Sequence, residues 1–162
     1  MRRLIAVAAS ALLFLAGAGP ATAGAYNVAV FGQGGWTITG IWVQGPMTLP
    51  IQAKGFVHTA SVPQFLTHPA TPGSGPAGQT WGLTCGEAIL DDWYDADTYG
   101  PCSVADAYWG ELVAKVGTTT WAVGAAPEIT IPDGVSGILF LAANDLLYTY
   151  ADNSGKFTIT FR

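Results

Sequence analysis

The stretch Gly137-Ile138-Leu139-Phe140-Leu141-Ala142 is followed by Asn144-Asp145-Leu146-Leu147-Tyr148-Thr149-Tyr150-Ala151-Asp152-Asn153-Ser154-Gly155 and then by Lys156-Phe157-Thr158-Ile159-Thr160-Phe161. Two segments of strong β pattern, one a continuous apolar run and one alternating aromatic or Ile with Thr, therefore enclose a loop dense in side-chain oxygens. Asp145, Asp152 and Asn153 offer hard oxygens, and the backbone at Thr149 can curl back to add a carbonyl. Such a set suits Ca²⁺, which takes six to eight oxygens in a flexible shell. An Asx-rich turn is the competing reading, since Asp-Asn-Ser-Gly is also good hairpin chemistry. On the loop residues alone, the turn is the simpler account.

Outward from this stretch the same rhythm recurs. Val28 to Phe31, Trp36-Thr37-Ile38-Thr39-Gly40-Ile41-Trp42-Val43, Met47 to Ile51, Phe56 to Val62, Trp109 to Gly117, Trp121 to Gly124 and Glu128 to Ile131 are all rich in β formers. Gly32-Gln33-Gly34-Gly35, Gln44-Gly45-Pro46 and Pro132-Asp133-Gly134 punctuate them as turns. Pro50 cannot donate to a ladder, which predicts an edge or irregular strand there. With 21 glycines and no evident amphipathic helical period after the N-terminal segment, the chain reads as an all-β sandwich or barrel. Residues 66–80, with three prolines and three glycines among them, form a long loop of the kind that often carries function.

The N-terminus decides the compartment. Arg2 and Arg3 precede an apolar run from Leu4 to Ala16, and Ala21-Thr22-Ala23 has the small-x-small form of a signal-peptidase site. Residues 1–23 are thus expected to be a signal peptide, with 24–162 as one domain that is secreted or periplasmic. The apolar run is short for a membrane span, no second one follows, and no cysteine stands at the cleavage point to take a lipid. Without the leader the basic residues are Lys54, Lys115, Lys156 and Arg162, four against 11 acids, a net charge of −7. That balance argues against nucleic acid or anionic membrane as partners and favours cations or neutral ligands.

Cys85 and Cys102 are the only cysteines, and in an exported chain they read as one structural disulfide. Their spacing lacks the CxxC form of redox catalysis. Between them lie Glu87, Asp91, Asp92, Trp93, Tyr94, Asp95, Asp97 and Tyr99. This excursion is either a solvated acidic loop pinned by its aromatics or, with Trp93, Tyr94 or Tyr99, a platform on which a sugar stacks. Enzymatic chemistry finds little support. His58 and His68 are the only histidines, no GxSxG elbow is present, and the acids at 87–106 show no spacing that selects a glycosidase pair. Two histidines and the expected disulfide also leave no tetrahedral zinc set.

Three stretches in order carry a resemblance: Trp36 to Ile41 with Ala53-Lys54-Gly55, then Gly110-Glu111-Leu112-Val113-Ala114-Lys115-Val116-Gly117, then Gly137 to Leu141 running into Asn144-Asp145 and Asp152-Asn153-Ser154-Gly155-Lys156-Phe157. Together they resemble the PA-IL-like bacterial galactose lectins over nearly the whole exported part, apart from roughly residues 60–105. The resemblance implies a small jelly-roll β-sandwich of the galactose-binding-like type. It also implies a Ca²⁺ site whose shell is completed by two neighbouring sugar hydroxyls. The implied metal ligands are Asp145, Asp152 and Asn153 by side chain, and Thr149 and Thr59 by backbone carbonyl. The implied sugar contacts are Asp145, Leu146 and Asp152, with His68 and Gln79 as the counterparts of the family's histidine and glutamine.

One departure bears on the sugar more than on the metal. The family has asparagine where Asp152 stands, and an ionised carboxylate only accepts where an amide also donates. The expected function is a non-catalytic, calcium-dependent lectin for galactose or a related sugar. The alternative is a calcium-stabilised structural or protein-interaction sandwich without sugar binding. Weak single-site binding would need several linked sites for useful avidity, so a homo-oligomer belongs among the expected states.

Overall fold

The computed structural model describes residues 25–59, 75–77, 84–90 and 96–162. The proposed leader, His68, Gln79, Trp93 and Tyr94 lie outside the described residues.

Eight strands are present among them: β1 Tyr26–Phe31, β2 Thr37–Gln44, β3 Met47–His58, β4 Leu112–Val116, β5 Thr119–Ala122, β6 Glu128–Ile131, β7 Ser136–Ala143 and β8 Ser154–Phe161. They form two four-stranded antiparallel sheets, ordered β1-β8-β3-β6 and β2-β7-β4-β5. Successive strands repeatedly change sheet, which is the double Greek-key order of a jelly roll and bears out the all-β reading.

Period-two patterning builds the core. In β8, Phe157, Ile159 and Phe161 turn inward while Thr158 is exposed, and in β6 Ile129 and Ile131 are buried between exposed Glu128 and Thr130. Val30, Val57, Leu112, Leu139 and Leu141 close the same cluster from the other strands. Each such side chain contributes about 1.5–3 kcal/mol when fully removed from water. β8, paired on both sides by β1 and β3, anchors the first sheet, and β7, between β2 and β4, anchors the second. The oxygen-rich loop connects these two central strands, so both of its ends are fixed.

Several boundaries differ from the sequence reading. Residues 47–58 make one strand rather than two, and the strand exchanges partners midway: Met47 to Pro50 pair with β6, and Ile51 to His58 pair with β8. Pro50 sits at that exchange, paired with Glu128 of β6 while its carbonyl accepts from Arg162 N–H just beyond β8 at 3.1 Å, so the strand is interior and the missing donor falls where its partners change. β2 is broken by a register shift between Ile38 and Trp42, with Gly40 at φ +75°.

The excursion between the cysteines holds two short helices, α1 Cys85–Leu90 and α2 Ala96–Tyr99. Helices of one turn carry no readable amphipathic period. The start of α1 was nonetheless written in Thr84-Cys85-Gly86-Glu87, a capping box. Glu87 Oε2 accepts from Thr84 N–H at 2.8 Å, and Glu87 N–H donates to Thr84 Oγ1 at 3.4 Å. Val104 and Ala107 then pack on Val113, Ala142 and Trp36, seating this excursion on the outer face of the second sheet.

Candidate metal centre

Asp145 follows the end of β7 and is 4% exposed, while Asn153 precedes β8 and is 1% exposed. Asn153 Nδ2 donates to Asp145 Oδ2 at 2.7 Å, closing the loop at its base. The other carboxylate oxygen, Oδ1, accepts from Leu146 N–H at 2.7 Å. Between these ends the chain folds as a series of tight turns: Thr149 N–H donates to Leu146 O, Asp152 N–H to Thr149 O, and a 3-10 turn spans Tyr150–Asp152. The loop thus sets Asp145 against Asn153, with Thr149 and Asp152 in the turns between them.

Thr59 reaches the same end from the first sheet. The β3–β8 register pairs Val57 with Gly155 and His58 with Ser154, so Thr59 lies one step beyond, level with Asn153. Gly32 approaches from a third direction, and its carbonyl accepts from Asn153 Nδ2 at 3.2 Å. A Cβ on Gly32 would come within 2.8 Å of Val57 and 2.9 Å of the Ser154 carbonyl, so only glycine fits this junction.

Burial pushes the Asp145 carboxyl up to about 6, against the bonds from Asn153 and Leu146 that lower it, and the neighbouring Asp152 charge adds to the rise. Burial also raises Asp152. Two carboxylates whose ionised forms are disfavoured by desolvation, Asp145 also by the charge of Asp152, favour a bound cation. The available donors are hard oxygens, which fits calcium. Among the described residues no group of three or more His, Cys, Asp or Glu side chains converges. The set here holds two carboxylates, its other members being an amide and two backbone carbonyls.

The excursion braces this loop from the side. Ser103 N–H donates to Asp145 O at 3.0 Å, Leu147 N–H donates to Pro101 O at 3.1 Å, and Cys102 forms a β-bridge with Leu146. The Tyr150 hydroxyl donates to the Ala143 carbonyl at 3.0 Å and meets Ser103 Oγ at 2.6 Å. Its burial pushes that phenol up to about 12. Cys85 and Cys102 form the expected disulfide, across a separation of 17. The bonds from Ser103 to Asp145 and from Leu147 to Pro101 escaped the sequence reading because their partners are far apart in the chain, with no local pattern to join them.

Leu146 points inward at 1% exposure, so what it presents to a ligand is backbone. Glu87 and Asp106 line one hollow beside the disulfide, together with Thr84, Gly86, Pro101, Cys102 and Ala105. Glu87 is unsuited to be the general acid of a glycosidase pair. The general acid of such a pair needs a raised carboxyl, whereas the Thr84 N–H and hydroxyl hold Glu87 below its ordinary value.

Comparison with known proteins bears on the fold in which this loop sits. The profile of a family described as PA-IL-like protein matches residues 84–162, which span the excursion, the second sheet's β4 and β7, the whole loop and β8. That match starts within the region the resemblance had left out and does not include the Trp36 stretch. Among solved structures, the EclA N-terminal domain, described as a PllA-like lectin, is similar with a TM-score of 0.54 at 18% identity, covering 84% of this chain and 93% of that one. At this identity the likeness speaks for the fold. No curated protein matches.

Proposed function

From the chain's place in the PA-IL-like family, carried by residues 84–162, we propose that it is an exported, calcium-dependent carbohydrate-binding protein, with galactose or a related sugar as ligand. A lectin-type, non-catalytic role is the general reading that goes with the family, and it agrees with a Glu87 carboxyl held below its ordinary value. The observation that carries the finer reading is the Asp145 carboxylate. It is nearly fully buried, is raised by desolvation, and is held against Asn153 in a loop that also supplies Asp152 and the Thr149 carbonyl.

Asp145, Asp152 and Asn153 would hold the ion through side-chain oxygens, and Thr149 and Thr59 through backbone carbonyls. Calcium bound there would supply a site of readily exchanged oxygen ligands at which vicinal sugar hydroxyls can replace water. The chain's own residues do the rest. Leu146 N–H and Asn153 Nδ2 fix the orientation of Asp145, leaving it an acceptor for a hydroxyl proton. Asp152 is exposed and accepts as well, but being a carboxylate it lacks the donor an asparagine would bring. His68 and Gln79 are retained as sugar contacts in this proposal.

A glycan array run with calcium and with chelator tests the reading, using wild type and Asp152→Asn. Chelator-sensitive binding that shifts toward galactosides in the variant is expected. Absence of glycan binding by both proteins at high multivalency would leave a calcium-stabilised structural sandwich instead.

A further inference from the structure

Tyr148 is the most exposed large apolar side chain among the described residues, at 71%. It stands in the oxygen-rich loop, immediately before Thr149 and three residues after Asp145, hence no more than about 11 Å from Asp145 along the chain. One face of its ring lies on Gly100: a Cβ there would fall 3.1 Å from the ring's Cγ and Cδ2. Gly100 has φ +82°, so the floor of the ring is backbone in a conformation that side chains rarely adopt. That floor is fixed. The next residues, Pro101 to Ser103, are bonded to Leu147, Leu146 and Asp145, and Cys102 is tied to Cys85.

A ring backed on one side and open on the other gains little from core burial. What it offers is a flat apolar surface with a phenolic hydroxyl at its rim. Leu147 and Ala151 are exposed beside it, and Asp152 follows. The patch is far too small for a macromolecular interface of about 800 Å² per partner. It is the right size for a single ring.

We infer that Tyr148, floored by Gly100, is a subsite for the ring attached to the metal-held sugar, either a neighbouring neutral pyranose or an aromatic aglycone, stacked by its apolar face. The inference rests on the proposed function, since it needs a sugar anchored in the adjacent loop. Tyr148 would then set specificity among extended ligands without contributing to the anchoring itself. It has no part in the metal set.

The test is calorimetry with calcium present, using methyl galactoside, phenyl galactoside and a galactose-terminated disaccharide of one anomer. Wild type, Tyr148→Ala and Tyr148→Phe are compared, with calcium affinity measured alongside. Tyr148→Ala should lower affinity for the phenyl glycoside and the disaccharide by about three- to tenfold, the range for one aromatic stacking contact. Methyl galactoside and calcium should bind it as they bind wild type, and Tyr148→Phe should restore most of the loss. The shared chemistry then divides by source: a larger effect on the disaccharide assigns the subsite to a pyranose, and a larger effect on the phenyl glycoside assigns it to an aglycone. Equal losses for all three ligands, or no loss for any, would overturn the subsite while leaving the calcium-dependent sugar site standing. If wild type binds no sugar, the subsite and the proposed function fall together.

Discussion

Asn144 pairs with the backbone of Val104 in both directions: Val104 N–H donates to Asn144 Oδ1 at 2.9 Å, and Asn144 Nδ2 donates to Val104 O at 3.0 Å. The amide thereby imitates a strand neighbour and fastens the excursion to the end of β7. Nδ2 also reaches the carbonyls of Ala107 and Tyr108 at 3.0 and 3.2 Å. Asn144 is fully buried, and the next residue is Asp145, so the residue that anchors the excursion also sets where the candidate metal loop begins.

Replacing Asn144 should therefore cost more than a single hydrogen bond. Asn144→Ala leaves Val104 and two further carbonyls without their partner, and a destabilisation of about 3 kcal/mol is expected, read from urea unfolding. Asn144→Asp should be at least as damaging, because it keeps the shape but sets a carboxylate against three carbonyl oxygens. A loss below about 0.5 kcal/mol in both would show that the excursion does not depend on this amide.

Calcium should bind at one site, with a dissociation constant on the order of 10⁻⁴ to 10⁻³ M for a set holding only two carboxylates, and tighter if the loop is rigid. At a hundredfold excess over that constant the ion should stabilise the fold by about 2.7 kcal/mol. Thermal melts with calcium and with chelator measure the shift, and Asp145→Ala should abolish it. Wild-type calcium affinity in Asp145→Ala would place the ion elsewhere.

Glu111 gives a pH signature from a carboxyl outside the candidate metal set. Its side chain is 9% exposed, and burial raises its carboxyl above the ordinary 4.5, offset in part by the Tyr108 N–H that donates to Oε2 at 2.8 Å. The folded state thus holds this proton more tightly than the unfolded chain does. The extra stability is fully present below about pH 4.5 and is lost as pH rises through the folded value. Glu111→Gln imitates the protonated form, so its melting temperature should match wild type near about pH 4 and exceed it above neutrality. A difference that stays constant across this range would contradict the assignment.

The disulfide closes a loop with a separation of 17, a constraint worth about 3 kcal/mol in the chain-entropy picture. Reduction should loosen the excursion before the sandwich melts. In hydrogen exchange, the amides of Cys85, Gly86 and Ser103, which bond to Ala107, Ala105 and Asp145, should lose protection. Those of Phe157 and Ile159 in β8 should keep theirs, since both neighbours of that strand remain. Simultaneous loss at both sets would make the excursion part of one cooperative unit with the core.

The strands and the loop were legible because their signals are local. Alternation in Phe157 to Phe161 and the apolar run Gly137 to Ala142 follow from side chains facing opposite sides of a pleated sheet, and Asp145, Thr149, Asp152 and Asn153 lie within nine residues. The capping box at Thr84 was equally local, and it could have announced α1. Pro50, lacking a ladder donor, predicts an edge or irregular strand, and its place on an interior strand at the exchange between β6 and β8 depends on strands some 80 and 110 residues away.

By itself, then, the sequence determined the β class of this protein, the pairing of its two cysteines and a loop with the oxygens a cation needs, since covalent spacing and period-two patterning act over a few residues. The tertiary structure decided which strands are neighbours, that Thr59 and Gly32 close on Asn153, that Asn144 holds Val104, and that Tyr148 lies open on Gly100. Those are contacts between groups whose separation along the chain exceeds any local pattern. Burial acts with them: Asp145 acquires its raised carboxyl because the folded chain removes it from water.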